Sequence, residues 1–224
     1  MIVRAIGDLL PSAVGVALSP VPIVAIVLML GTPRARTTGT AFALGWIGGL
    51  SLAVVLVTLV SSGASSDDDP STAVGWVKLI LGGLCLASAI RTWKGRPGPG
   101  ETAETPAWMA GLDAVAAGRA AILGAALAGV NPKNLALSVA AAASVGQAAL
   151  SGAETAITLA TFVILASASV AGPVVFFLLA PQRAAAPLNS LKDAMAAHND
   201  VIMAVVLLVL GAKLAGDGLA IVGA

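Results

Sequence analysis

The sequence predicts an all-α integral membrane protein of six spanning helices, arranged as two inverted three-helix repeats with helices 1 and 4 broken. Three observations predict it. The 224 residues are 58% hydrophobic and only 10% charged, against roughly 45–50% apolar and about 25% charged in soluble domains. The apolar residues cluster in runs of about 20, the length that some 30 Å of hydrocarbon demands. Proline interrupts the first and the fourth run, at Pro20 and Pro132, and these positions are 112 apart in a chain of 224.

The six runs are residues 9–30, 38–60, 73–90, 120–149, 153–180 and 200–222. Turn residues or charges separate them: Gly31-Thr32-Pro33-Arg34, Ser65 to Pro70, Arg91 to Pro99, Gly146 to Gly152, and Pro181-Gln182-Arg183. The whole chain, 1–224, reads as one transmembrane domain, with repeat one at 1–91, a cytoplasmic linker at 92–119 and repeat two at 120–224. The N-terminal run could pass for a signal peptide, but Pro20 and Pro22 inside it and the lack of an A-x-A-like site argue against that.

Charge sets the orientation. Arg34 and Arg36 follow helix 1, Arg91, Lys94, Arg96 and Arg119 follow helix 3, and Arg183 and Lys192 follow helix 5. The two opposite loops contain no Lys or Arg, and one contains Asp67, Asp68 and Asp69. The positive-inside rule then puts the linker in the cytoplasm and both termini outside, with Arg4 as the one dissenting charge. Within the linker, Trp108, Leu112 and Val115 recur at helical spacing, which fits either a short interfacial helix or a plain tether.

The halves match in two places. Leu18-Ser19-Pro20-Val21-Pro22-Ile23 stands against Val130-Asn131-Pro132-Lys133-Asn134-Leu135, and Leu79-Ile80-Leu81-Gly82 against Leu208-Val209-Leu210-Gly211. An odd number of helices per half inverts the second copy. Interrupted helices at corresponding positions of inverted halves point to a transporter's central site.

The fourth run concentrates what lipid disfavours. Pro132 lacks an N–H and breaks the helix. Asn131 and Asn134 bring amides, and Lys133 brings a charge that costs on the order of 2.5–3.5 kcal/mol at a helix centre. Irregular backbone at membrane depth belongs in a protein-enclosed polar cavity, and the half-helix expected from Leu135 onward adds N–H donors for an anion. Lys78 and Lys213 lie in the outer halves of helices 3 and 6, where each can bind an anion or snorkel to the surface. Lys213 can also pair with Asp217 along its helix face. Ser19 adjoins the first break, Ser138 shares the Lys133 side of the second half-helix, and Ser167 and Ser169 precede Gly172-Pro173. Gly45, Gly48 and Gly49 around Trp46 permit close helix contact.

Several classes are excluded or disfavoured. A net charge of +1 suggests no nucleic-acid partner. One cysteine, Cys85, rules out an internal disulfide or thiol relay, and one histidine, His198, rules out a His-rich metal site in one chain. No G-x-x-x-x-G-K-[ST] string is present, so no ATP loop is expected. No cofactor, metal or catalytic residue is expected. The expected partners are membrane lipids and an anionic cargo, and six short spans are compatible with a homodimer.

Asn131-Pro132-Lys133, with the broken first helix and six spans in two halves, resembles the lysine-exporter (LysE) superfamily. Leu18 to Pro22, Pro33-Arg34-Ala35-Arg36, Ala41 to Trp46, Lys78 to Gly82 and Asn131 to Leu135 together resemble its actinobacterial GAP/Sap branch, the glycopeptidolipid- and sulfolipid-addressing proteins. The resemblance implies a plasma-membrane transporter serving the cell envelope, and assigns the break and central site to Pro20, Pro22, Asn131, Pro132, Lys133 and Asn134. Where the superfamily's amino-acid exporters usually carry a P-G-P-type string, this chain has Pro20-Val21-Pro22, which weakens amino acid as the cargo. The expected function is secondary export of an anionic envelope precursor, either a charged glycolipid or an acyl or dicarboxylate-type substituent for envelope glycans. The alternatives are an amino-acid exporter and a non-transporting scaffold for envelope lipid synthesis.

Overall fold

The computed structural model describes residues 1–63, 72–96, 115–148 and 150–223, and every regular element among them is an α-helix. In chain order these are α1 (Ile2–Ala17), α2 (Pro20–Leu30), α3 (Ala35–Gly63), α4 (Thr72–Lys94), α5 (Ala117–Gly129), α6 (Pro132–Gln147), α7 (Gly152–Leu179), α8 (Pro181–Ala197) and α9 (Asn199–Val222). The interfacial helix expected around Trp108 and Leu112, and the acidic Asp67-Asp68-Asp69 loop, lie outside the described residues.

Two compact units form: Met1–Thr58 with Thr102–Ala197, and Leu59–Glu101 with His198–Ala224. In the first, α1 packs on α6 and α7, and α2 packs on α7 and α8. The chain passes from α1 to α2 through Ser19, which is extended at φ −101° and ψ 103°. A residue before proline is pushed out of the helical region by the ring, so Pro20 ends α1. With its fixed φ it also opens α2 at the first helical position. The two helices bend by 55°. α2 is buried on nearly every side, from Pro20 through Leu30, as a helix apolar all round should be.

The break at Pro132 has the same cause. α5 ends at Gly129, Asn131 is extended, and α6 starts on Pro132. This corrects the expected half-helix start at Leu135. Proline at the first position draws the helix three residues toward the N-terminus, so Lys133 and Asn134 lie in its first turn rather than before it. The seam between α3 and α5 depends on small residues. A methyl added to Gly49 would meet the Ala125 carbonyl oxygen at 2.5 Å, and one on Gly45 would run into Ala121. Gly48, on another face, meets nothing within 4 Å.

α8 forms in the polar connection between the fifth and sixth apolar runs, where no helix is expected from the sequence. Ala184 and Leu188 are buried and Leu191 and Met195 half-buried, at spacings of four, three and four, while Arg183 and Asp193 are exposed. That apolar stripe lies against α2 and α7 and is enough to hold a polar segment helical. α7 opens on a capping box, in which Ser151 and Glu154 satisfy each other's backbone N–H groups. It runs through Pro173 without ending.

In the second unit α4 packs on α9. The two matched strings meet there. A methyl on Gly82 would lie 3.0 Å from the Gly211 carbonyl oxygen, and one on Gly211 would lie 3.0 Å from the Gly82 carbonyl oxygen. The contact is reciprocal and brings the backbones as close as helices allow.

Three helices are long and apolar enough to cross a membrane: Ala35–Leu59, Gly152–Leu179 and Asn199–Val222, with α1 and α2 together as a fourth if the bent pair is one span. Only 33%, 39% and 28% of their most apolar stretches is buried within the protein. The rest is apolar surface such as Leu44, Leu52, Ile164, Leu179, Leu208 and Leu219, which suits lipid rather than water. The described residues therefore form an all-α membrane protein with three or four such spans. α4 and the α5–α6 pair fall outside that set.

Candidate functional site

Both breaks end in the same place. A helix leaves its last carbonyls without N–H partners, and a following proline adds one more by lacking its own N–H. At the end of α1 the freed carbonyls include those of Gly15 and Val16. The Lys133 ammonium donates to the Gly15 oxygen at 2.9 Å and to Ser19 Oγ at 2.6 Å. Ser19 Oγ in turn donates to the Val16 oxygen at 2.7 Å. At the end of α5, Asn134 Nδ2 donates to the Leu127 oxygen at 2.9 Å. Asn131 caps α6, its Oδ1 accepting from the Lys133 backbone N–H at 3.0 Å. Ser19 Oγ and Asn134 Oδ1, 3.5 Å apart, join the two breaks.

The junction is closed. Lys133 is 8% exposed, and Ser19 and Asn134 are buried. None of the ion pairs among the described residues includes Lys133; they are Lys192–Asp193 and Lys213–Asp217. Its partners are neutral oxygens, one of them at the C-terminal, partially negative end of α1. The ammonium has three donors and two are used by these partners. α2 can offer an anion little, because Pro20 and Pro22 remove two of the first three N–H groups of its opening turn.

The structure brings together Ser19, Asn131, Lys133 and Asn134, with Pro20 and Pro132 at the two breaks that set them there. Pro22 is buried within the first turn of α2. Ser138 is fully buried on α6, four residues after Asn134 and so on the same face. Its hydroxyl has no hydrogen-bond partner, nor do those of Ser167 and Ser169 on α7. Lys78 and Lys213 belong to the α4–α9 unit. Lys213 pairs with Asp217 at 3.2 Å, as its spacing anticipated. The groups that sequence reasoning missed are the carbonyls of Gly15 and Leu127. Both stand four positions before the residue that precedes a proline, which is the one signal that could have found them.

Fold and junction define the class: an all-helical membrane protein whose buried polar centre is built from two proline-broken helices. The chain belongs to the family described as Sap, sulfolipid-1-addressing protein, whose model matches residues 9–220. No curated protein and no solved structure matches it.

Proposed function

We propose that this protein is a secondary transporter in the plasma membrane that exports an anionic cell-envelope precursor, a charged glycolipid or an acyl or dicarboxylate-type substituent for envelope glycans. One observation supports this above others: a lysine buried without a carboxylate partner where two broken helices meet. Burying a charge is costly unless it is paired, and intramembrane lysines of this kind mark substrate pathways. The family's description, sulfolipid-1-addressing protein, supports a lipid cargo.

In this reading the six spans are α1–α2, α3, α4, α5–α6, α7 and α9. α8 lies at the cytoplasmic surface, residues 92–119 are in the cytoplasm and both termini are outside. The architecture is LysE-like, with inverted halves. The capped carbonyls support the repeat: Gly15 and Leu127, like Ser19 and Asn131 and like Pro20 and Pro132, are 112 positions apart. Asn131, Lys133, Asn134 and Ser19 line the central site, and the prolines let each half rock about its break. Energy comes from an ion gradient or from downhill flow of the cargo.

The test is Lys133→Ala in the native host. Export of the envelope lipid or substituent should stop while the protein still elutes as a folded species in mild detergent. Normal export by a well-expressed variant would overturn the reading. The tie from Lys133 to Gly15 favours a second reading, a non-transporting scaffold in which the lysine only fastens α1 to α6. Under it, any variant that restores stability would also restore function.

A further inference from the structure

Several hydroxyls on these helices turn back on their own backbone. Thr38, Thr40, Thr58, Ser144, Thr158 and Thr161 each donate to the carbonyl four residues earlier, the usual recourse of Ser and Thr inside a helix. Ser138 and Ser167 do not. Both are buried, at 0% and 2% exposure, and neither hydroxyl has a partner. Neither hydroxyl takes the adjacent carbonyl, so each is free to meet another group, as a buried polar group requires.

Their positions say what. Ser138 is one turn along α6 from Asn134, so its side chain tilts toward the start of that helix, where Lys133 lies. Ser167 is reached across the short connection from α6 to α7. Lys133 stands 14 residues before the end of α6 and Ser167 15 residues after the start of α7. At 1.5 Å per residue these are depths of about 21 and 22 Å from that connection. α6 packs on α7, and α1 packs on both. Ser138 thus shares the lysine's own helix, nine residues or about 14 Å from the connection, and Ser167 comes from α7, which packs on that helix.

We infer that Ser138 and Ser167 form a second, uncharged subsite beside Lys133, which binds the hydrogen-bonding neutral part of a head group whose anion is held by the lysine. This rests on the transport reading and adds a specificity rule to it. An anionic lipid whose head group also carries hydroxyls is preferred over one with a bare anion of the same kind. The serines can donate to or accept from such hydroxyls, where apolar residues would leave them unpaired.

The experiment uses two lipids that share a phosphate. Purified full-length protein in neutral detergent is titrated with phosphatidic acid and with phosphatidylinositol, binding being read by native mass spectrometry. Wild type should bind phosphatidylinositol the more tightly. Ser138→Ala and Ser167→Ala should each weaken phosphatidylinositol by about fivefold, the worth of one neutral hydrogen bond, and leave phosphatidic acid unchanged. Both variants should keep or slightly raise the melting temperature, since each removes an unpartnered buried hydroxyl. Lys133→Gln should weaken both lipids. Equal affinity of wild type for the two lipids, or serine variants that change neither or both alike, would overturn the subsite and leave the serines as packing or water sites. A Lys133→Gln variant that binds both lipids like wild type would instead remove the transport reading, whatever the serines do.

Discussion

The ammonium of Lys133 and the carbonyl of Gly15 are 2.9 Å apart although 118 positions separate them in the chain. This bond answers the end of one broken helix with the beginning of another. Ser19 Oγ completes it by accepting from Lys133 and donating to Val16. Lys133→Met should therefore destabilise the protein by about 1–3 kcal/mol, because a buried carbonyl loses its donor. Ser19→Ala should cost less. The double variant should fall short of the sum, with a coupling of about 0.5–3 kcal/mol, since both residues serve one network. Chemical denaturation of all four proteins in detergent measures the cycle, and strict additivity would show that the two side chains act separately.

Asn134 gives a sharper functional contrast. Its side chain is fully buried, with Nδ2 on the Leu127 carbonyl and Oδ1 beside Ser19. Asn134→Asp keeps the size but places a carboxylate near the lysine, both groups lying within 3.5 Å of Ser19 Oγ. The new ion pair should occupy the ammonium, so export should be lost and anionic lipid binding should fall at least tenfold; the Leu127 carbonyl also loses its donor, so the variant should stay folded but melt below wild type. Undiminished anion binding in this variant would mean that cargo does not use Lys133.

The seam between α3 and α5 predicts opposite outcomes for neighbouring glycines. Gly45→Ala drives a methyl into the Ala121 backbone, which a packed pair of helices cannot yield without separating. Gly48→Ala meets open space and gains up to about 1 kcal/mol of helix propensity. Melting in detergent should drop sharply for the first and stay level or rise for the second. A similar response of the two would mean that the seam is not close-packed.

Local chemistry made both breaks legible, because a proline's missing N–H and its effect on the preceding residue need no distant partner. Lys133 could be read as buried for the same reason, since its apolar flanks leave it nowhere else to go. Its acceptor could not be read. Gly15 offers only a backbone oxygen, and nothing about a glycine in an apolar run marks it as the partner of a lysine in the other half. α8 was hidden differently. Its stripe of Ala184, Leu188, Leu191 and Met195 is too weak for a criterion tuned to spans, and it matters only because α2 and α7 supply a surface for it. The half-helix expected from Leu135 starts at Pro132 instead, because the proline that ends one helix also begins the next.

The charge pattern yields a topology that can be tested by labelling. Eight Lys and Arg residues follow the first, third and fifth apolar runs and none stands in the other two connections, a bias that predicts a cytoplasmic position for those eight. Cys85, half-buried in α4, is the one native cysteine, so Cys85→Ala gives a clean background for single reporters. A cysteine at Gly223 or near Met1 should react with a membrane-impermeant maleimide added to intact cells. One at Arg96 or at the exposed Arg183 on α8 should react only after the membrane is opened. Arg4, exposed near the start of α1, is the charge that argues against this orientation. If Gly223 were protected and Arg183 labelled in intact cells, the whole arrangement would turn over. The ammonium of Lys133, at the meeting of the breaks, would then serve uptake as readily as export.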